Sequence, residues 1–317
     1  GNMKKYQYVK HPAFVGAVAC FCCLLWGSAF PAVKVGYALL HIDTSDTWTQ
    51  ILFAGLRFAA AGLLTILFGS LPGRKFLLPK PASFGKIGLL AMVQTVLQYI
   101  AFYIGLSMTT AVKSSIIEGA SSFIAILIAC FVFQMERFNL PKCIGCVLGL
   151  SGIVLVNLNG GGLGSFSTYK GDILMLIAAS AYALSSVLLR RFSKSENPVV
   201  LSGYQFFFGG IVMSVAAFAG GGRIVFDNIG GVLLLLYLSA LSAVAYTLWG
   251  ILLKYNDVSS VSIYGFMIPV FGVMLSALFI DGEAASVFRL QTIIALVLVC
   301  AGIIIVNRFG ETERVKA

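Results

Sequence analysis

The stretch A-V-K-S-S-I-I-E-G-A-S-S-F-I-A, residues 111–125, resembles V-S-S-V-S-I-Y-G-F-M-I-P-V-F-G, residues 258–272. At the same spacing Glu136 falls on Glu283, after an apolar stretch in each copy. Similar pairs occur on both sides of these stretches: G-L-R-F-A-A-A-G with G-Y-Q-F-F-F-G-G and S-G-I-V-L-V-N with A-G-I-I-I-V-N, at residues 55–62, 203–210, 151–157 and 301–307. The offset between the copies is nearly constant, with a small gap before the last pair, and such self-similarity indicates two copies of one structural unit.

The composition indicates a protein that is embedded in lipid. Of the 317 residues 59% are hydrophobic and only 11% are charged, whereas a soluble domain has about 25% charged residues. A span needs about 20 apolar residues, and lipid offers the backbone no hydrogen-bond partners, so spans are helical. Apolar runs fall near residues 13–40, 49–70, 84–107, 112–134, 139–158, 171–192, 198–220, 229–253, 258–280 and 288–307. We predict an all-α membrane protein with ten transmembrane helices.

The repeat divides these helices into two groups of five. We predict an N-terminal five-helix repeat at residues 1–158, a Gly-rich linker at 159–170 and a C-terminal five-helix repeat at 171–317. Because five is odd, the two copies are inserted in opposite senses. Such inverted repeats are a known plan of transporters, in which the substrate site lies near the membrane midplane where the repeats meet.

The formal charge of +10 is distributed as a topology signal. Lys and Arg concentrate at both termini and in the connections after the second, fourth, sixth and eighth runs, which predicts that both termini are cytoplasmic. We therefore expect a multi-pass protein of the plasma (inner) membrane that binds no nucleic acid. With two repeats in one chain a monomer contains the full pathway, so we expect a monomer.

Several motifs resemble the drug/metabolite transporter superfamily, specifically its EamA-type ten-helix members. The matching segments are L-L-W-G-S-A-F-P-A-V-K at residues 24–34, L-R-F-A-A-A-G at 56–62, and Ser259-Ser260 followed by Pro269–Phe271 and Glu283. In the first half the last pattern appears as Ser114-Ser115, Ser121–Phe123 and Glu136, with serine in place of proline. The resemblance covers essentially the whole chain and implies the fold and a transport function. It does not select a substrate, because the family carries amino acids, nucleotide-related metabolites, amines and drugs.

Glu118 is the acidic residue that we single out within the spans. A carboxylate there costs about 2.5–3.5 kcal/mol unless it faces a cavity or a partner. Its helix face is polar, since it also carries Ser114, Ser115, Ser121 and Ser122. Glu118 either binds a cationic group or a coupling proton, or forms a structural ion pair with Arg57 or Lys34. Lys34 can extend to the interface, and the guanidinium of Arg57, if free, suits a substrate carboxylate.

Aromatic and polar side chains inside the spans are the other candidates for substrate binding. They are Trp26, Gln98, Tyr99, Tyr103, Ser122, Tyr182, Tyr246, Trp249 and Tyr264. Aromatic walls suit a planar apolar group or a cationic head, but interfacial belts and packing also use such residues. Pro31 and Pro269 lie within spans, where each removes a backbone donor, so each is a candidate hinge or a kink without a gating role.

These features favour a secondary active transporter, an exporter of small amphipathic metabolites such as amino acids, working by alternating access around a central cavity. The alternative is a transporter of organic cations or amines, such as choline or drugs, with Glu118 and an aromatic cage as the site. We expect no enzyme activity, because His11 and His41 lie at the ends of runs and no span holds two acids. A channel has no filter-like repeat to support it, and a scaffolding role would be favoured only if the protein moved no solute. We expect no cofactor and no metal, because Cys143 and Cys146 have no second C-x-x-C or nearby His.

Overall fold

The computed structural model of the chain describes residues 7–43, 45–106, 108, 117–157, 169–279 and 290–310. The described residues form ten long helical segments and no strand. The first five are α1 (Pro12–Leu39), α2 (Thr47–Ser70), α3 (Pro81–Ser83 and Phe84–Leu90, then Ala91–Leu97 and Gln98–Leu106), α4 (Ile117–Val132) and α5 (Leu140–Asn157). The second five are α6 (Tyr169–Phe192), α7 (Pro198–Ala219), α8 (Ile229–Tyr255), α9 (Val258–Ser262, Ile263–Phe266 and Met267–Phe279) and α10 (Leu290–Phe309).

Six of these helices, α1–α3 and α6–α8, are long and apolar enough to cross a membrane, and α4, α5, α9 and α10 are shorter apolar helices. The long and short helices occupy equivalent places in the two halves. The prediction of an all-α membrane protein with ten transmembrane helices in two inverted repeats is confirmed.

Polar side chains mark the starts of several helices. Asp46 accepts from the backbone N–H of Thr49 at 3.1 Å at the start of α2. Asn197 accepts from Val199 at 2.9 Å before α7, which has Pro198 at its first position. These side chains satisfy backbone donors that have no partner within the helix. Local sequence therefore fixes where the spans begin.

Helix packing follows a two-fold pattern. α2 packs on α7, and α5 packs on α10; α1 contacts α8 and α9, while α6 contacts α3 and α4. Exchanging each helix of the first half with its counterpart in the second half reproduces the same set of neighbours. The centre of the molecule is thus built from equivalent helices of both repeats.

Glycines allow the symmetric pairs to approach closely. A Cβ added at Gly62 of α2 would lie 2.5 Å from the carbonyl oxygen of Gly203 in α7. A Cβ at Gly302 of α10 would lie 2.5 Å from the carbonyl oxygen of Gly145 in α5. Small residues permit this backbone contact between membrane helices, and here they join the two repeats within one chain.

α9 is irregular near its crossing with α1, whereas α1 is a continuous helix. In α9 the 3-10 turn Ile263–Phe266 comes immediately before Met267–Phe279, which contains Pro269. Pro269 has no N–H to donate to the carbonyl four residues earlier, which accounts for the altered helix there. Pro31 lies inside the continuous helix α1. Four residues before it, Gly27 touches α9, because a Cβ there would lie 2.7 Å from the Cβ of Phe271.

Candidate substrate site at the repeat interface

An aromatic cluster occupies the interface between the repeats. The ring of Trp26 in α1 lies 5.0 Å from that of Tyr246 and 5.1 Å from that of Trp249, both in α8. The ring of Tyr246 lies 4.6 Å from that of Phe206 in α7. Edge-on contacts at these distances are the favoured geometry of aromatic pairs. Trp26, Tyr246 and Trp249 are only 8%, 5% and 3% exposed, so this part of the site is closed to solvent.

The cluster continues across the approximate two-fold axis. The ring of Phe206 stacks on Phe58 of α2 at 5.4 Å, and Phe58 contacts Tyr99 of α3 at 4.4 Å. The hydroxyls of Tyr99 and Tyr246 are hydrogen-bonded at 2.9 Å. Phe58 and Phe206 are equivalent in the internal repeat, as are Tyr99 and Tyr246. We call the six residues Trp26, Phe58, Tyr99, Phe206, Tyr246 and Trp249 the central aromatic cluster.

Two polar arrangements flank this cluster, and they occupy equivalent positions. On one side the Thr95 hydroxyl donates to Gln205 Oε1 at 2.8 Å, and Gln205 Nε2 donates to Gln94 Oε1 at 2.7 Å. On the other side Arg57 Nε donates to Ser242 Oγ at 3.1 Å. The guanidinium of Arg57 also lies over the ring of Phe58, 5.0 Å from its centroid. The second repeat therefore has the neutral amide of Gln205 at the position where the first repeat has the positive charge of Arg57.

Glu118 lies in α4 on the same side of the bundle as two tyrosines. It is partly buried and interacts electrostatically with Tyr103 and Tyr246. In the described part of the chain it forms no ion pair with Arg57 or Lys34. Lys34 is exposed. The predicted alternative of a structural ion pair is thus not formed in this structure.

Several buried polar atoms near the site have no hydrogen-bond partner among the described residues. They are Nε1 of Trp26, Nε1 of Trp249, Oε1 of Gln98 and the hydroxyl of Tyr37. Buried polar atoms are nearly always hydrogen-bonded in proteins, so orphaned ones need an explanation. Two of the four are indole donors of the central aromatic cluster.

Four of the predicted site residues, Trp26, Tyr99, Tyr246 and Trp249, contact one another within the central aromatic cluster. Tyr182 of α6 is close enough to interact electrostatically with Tyr99 and Tyr246. Ser122 touches α9, because a Cβ at Gly265 would lie 2.5 Å from its hydroxyl oxygen. These residues extend the site from the aromatic cluster towards α4 and α9.

Tyr264 lies apart from the other candidates. Its carbonyl oxygen accepts from the thiol of Cys23 at 3.2 Å. Its hydroxyl would lie 3.1 Å from a Cβ at Gly16, which is ten residues before Trp26 in α1. The side chain therefore points towards the end of the bundle where the chain begins.

Sequence reasoning missed Phe58, Phe206 and Gln205 as members of the site. The signal was present in the repeat itself, since G-L-R-F and G-Y-Q-F place an aromatic ring after a polar residue in both halves. Tyr37 is near the end of the first apolar run, a position that is typical of interfacial residues. In the structure its ring packs on Phe53 at 5.3 Å, and its hydroxyl is buried.

A buried ion pair lies at the end of the bundle where α4, α5 and α9 meet. Lys142 Nζ is 3.1 Å from Glu136 Oε2, and the two side chains are only 3% and 5% exposed. Glu136 Oε1 also accepts from the backbone N–H of Ser259, at the start of α9, at 3.2 Å. The carboxylate of Glu136 therefore joins the connection between α4 and α5, in the first repeat, to a helix of the second repeat. We call Glu136, Lys142 and Ser259 the α9 latch.

The described residues contain no group of His, Cys, Asp and Glu that could hold a metal ion. The seven cysteines are free.

Comparison with known proteins identifies the family. The model of the EamA-like transporter family matches residues 14–158 and again residues 169–308. The chain belongs to the EamA-like transporter family. It is a member of a family of membrane transporters, as its apolar helices and its interior polar site indicate.

Individual relatives are distant but cover most of the chain. An uncharacterized transporter of Archaeoglobus fulgidus is 29% identical over 252 residues, which is 78% of this chain and 83% of the relative. The uncharacterized inner membrane transporter YedA of Escherichia coli K12 is 25% identical over 272 residues, 83% of this chain and 81% of the relative. A protein of the same strain named "Probable amino-acid metabolite efflux pump" is 26% identical over 309 residues, 93% of this chain and 95% of the relative.

A solved crystal structure has a similar fold. It superposes with a TM-score of 0.75 and 16% sequence identity, covering 93% of this chain and 96% of the other. At this identity the similarity concerns the fold alone.

Proposed function

We propose that the protein is a secondary active transporter that exports small amphipathic metabolites such as amino acids by alternating access. The observation that carries this proposal is the meeting of two inverted repeats at a site that is both aromatic and polar. Inverted-repeat transporters bind their substrates near the midplane at this interface. The Tyr99–Tyr246 hydrogen bond, 2.9 Å long, joins equivalent residues of the two repeats at that place.

The preference for amino acids rests on the site and on one relative. The central aromatic cluster offers apolar walls, and Arg57 offers a positive charge against the ring of Phe58. The relative named as an amino-acid metabolite efflux pump matches over 93% of this chain. Both favour a solute with an apolar body and a charged head.

Glu118 is our candidate for coupling transport to the proton gradient. It forms no ion pair among the described residues, and it is close enough to Tyr103 and Tyr246 to interact with them electrostatically. Intramembrane carboxylates of this kind mark proton relays or ion pathways. A proton on Glu118 in one conformation and not in the other would link substrate movement to the gradient.

Movement of the repeats would bend the proline-containing helices α1 and α9. Pro31 and Pro269 are the candidate hinges, and both lie near the contact of Gly27 with Phe271. The α9 latch would close the cytoplasmic end in one conformation and release α9 in the other. We place both termini in the cytoplasm and the protein in the inner membrane, and we expect the monomer to transport.

The alternative substrate class is organic cations and amines, such as choline or drugs. The observation that favours it is a carboxylate at Glu118 that forms no ion pair among the described residues and interacts electrostatically with two tyrosines, because aromatic faces and an acid together attract a cationic head. Neither substrate class requires a cofactor.

Transport by proteoliposomes tests the proposal. Purified protein would be reconstituted with an internal pool of one unlabelled solute, and uptake of the same labelled solute would be followed. We expect counterflow with neutral amino acids that exceeds the signal of protein-free liposomes. If no amino acid, amine or drug moves under any imposed gradient, a transport function is contradicted and a scaffolding role is favoured.

A further inference from the structure

Arg57 differs from its counterpart in the other repeat in how its polar atoms are satisfied. Arg57 and Gln205 are equivalent, and so are their partners Ser242 and Thr95. Gln205 has a second partner, because its Nε2 donates to Gln94 at 2.7 Å. The residue that corresponds to Gln94 beside Arg57 is Leu241, whose side chain is apolar. The acceptor that completes the hydrogen bonding of Gln205 is therefore missing at Arg57.

The guanidinium of Arg57 therefore has N–H donors, on its Nη atoms, without an acceptor in the described structure. Arg57 is only 6% exposed, and its one hydrogen bond in the described structure is from Nε to Ser242. It has no acidic partner among the described residues. A buried charge without an ion-pair partner is destabilising, so the binding of an anion at Arg57 would be favourable.

Two more donors belong to the same connected group. Nε1 of Trp26 and Nε1 of Trp249 are buried and have no acceptor in the described structure. The two indole rings are 5.1 Å apart, and the aromatic chain through Tyr246 and Phe206 joins them to Phe58, below the Arg57 guanidinium. The unsatisfied atoms of Arg57, Trp26 and Trp249 are thus all donors, and Arg57 carries the formal charge of these three residues; the unsatisfied acceptor Oε1 of Gln98 and the carboxylate of Glu118 belong to other parts of the site.

We propose that Arg57, Trp26 and Trp249 form the anion-binding end of the substrate site and that the substrate carries a carboxylate. The Nη atoms of Arg57 donate to the carboxylate in the forked geometry that guanidinium and carboxylate share. The indole N–H groups supply further donors, and the ring of Tyr246 packs against the apolar body of the substrate. A single positive charge matches a monocarboxylate better than a doubly charged phosphate. This inference rests on the proposed transport function and narrows its substrate class.

Ligands that differ only in the acid group test this directly. The full-length protein in detergent would be titrated with L-phenylalanine, L-leucine and L-methionine, each compared with its amide and with the amine that lacks the acid group. Working at about pH 6.5 keeps the amino groups mostly protonated, since the α-amino pKa is about 7.7–8.0. We expect at least one acid to bind about tenfold or more tightly than its amide, because a charge-assisted hydrogen bond is lost.

Variants then assign the effect to residues. In Arg57→Gln the preference for the acid over the amide should disappear, and Arg57→Lys should retain part of it. The matched control is Arg74→Gln, which removes an exposed arginine of the α2–α3 connection. Trp26→Phe and Trp249→Phe keep an aromatic ring but remove the donor, and each should reduce the preference several-fold. Trp48→Phe, at a tryptophan that is 42% exposed, is their control.

Two results with the wild-type protein would overturn the inference. In one, the amides and amines bind as tightly as the corresponding acids or more tightly; in the other, none of the acids binds. This comparison needs no variant, so a misfolded Arg57→Gln protein does not prevent a decision. A carboxylate preference that survives unchanged in folded Arg57→Gln also overturns it. Counterflow of an amine by wild-type proteoliposomes, with no counterflow of acids, would reject this inference and leave the transport function standing.

Discussion

The hydroxyls of Tyr99 and Tyr246 are 2.9 Å apart, and these two tyrosines occupy equivalent positions in the two repeats. The hydrogen bond therefore lies on the approximate two-fold axis and joins α3 to α8. Around it the two repeats are not chemically equal. The position that Arg57 occupies in the first repeat is occupied by Gln205 in the second. The symmetry provides two structural halves, and the departures from it provide the charges that a substrate can recognise.

The first prediction concerns this tyrosine pair. Tyr99→Phe and Tyr246→Phe should each lower the free energy of unfolding by about 0.5–1.5 kcal/mol, because one hydrogen bond is lost. The double variant should cost less than the sum, since both changes remove the same bond. Thermal midpoints of the four proteins measure this, with exposed Tyr169→Phe as the control. Strictly additive effects would show that the two hydroxyls do not interact in the membrane protein.

The second prediction concerns Glu118. Glu118→Gln removes the group that can carry the proton but keeps its size. If Glu118 couples transport, exchange of amino acids across proteoliposomes should stay within about twofold of wild type, while accumulation driven by a pH gradient should be lost. Glu118→Asp should restore part of the gradient-driven accumulation. Loss of exchange itself would instead place Glu118 in substrate binding, and unchanged accumulation would exclude it from coupling.

The third prediction concerns the α9 latch. Glu136→Gln leaves the Lys142 ammonium, whose side chain is 3% exposed, without its anion. Breaking a buried pair by removing one partner typically costs about 3–5 kcal/mol, whereas removing both charges costs much less. The double variant Glu136→Leu, Lys142→Met should therefore be more stable than Glu136→Gln alone in chemical unfolding. A double variant that is less stable than Glu136→Gln would contradict this account of the latch.

The fourth prediction is a pH dependence at Glu196, in the connection between α6 and α7. The hydroxyl of Ser83 donates to Glu196 at 2.7 Å and Lys86 Nζ at 3.0 Å, and these contacts hold the pKa of the carboxyl below its ordinary value. A lowered pKa in the folded state adds stability above the ordinary carboxyl pKa of about 4.3. That stability is lost as the pH falls through the lowered value.

The test compares thermal midpoints of wild type and Glu196→Gln between about pH 7 and about pH 3. We expect the variant to be less stable at neutral pH and the difference to shrink on acidification. A difference that stays constant over this range would show that the carboxylate charge of Glu196 does not contribute.

The helical plan could be predicted from the sequence because lipid imposes a strong rule on the backbone, and each apolar run had to become a helix. The repeat was visible because the pairs around Ser121 and Pro269 kept their spacing. Candidate residues on α1, α3 and α8 could be named because polar and aromatic side chains stand out among the aliphatic residues of a span.

The remaining parts of the site depend on contacts between distant helices. Phe58 and Phe206 look like ordinary lipid-facing residues in the sequence, and only the packing of α2 on α7 places their rings 5.4 Å apart. The glycines Gly145 and Gly302 could have served a contact between two molecules, but they join α5 to α10 within the chain. The sequence also left open whether Arg57 pairs with Glu118, because that pairing depends on how the side chains of α2 and α4 are placed.

Counterflow of labelled amino acids in proteoliposomes tests the central claim most directly. The account predicts transient accumulation of a labelled neutral amino acid in vesicles that contain the purified protein and an unlabelled pool of the same compound. Protein-free vesicles should show none, and Arg57→Gln vesicles should show much less than wild type. Accumulation of quaternary ammonium compounds, together with no accumulation of any amino acid, would contradict the account.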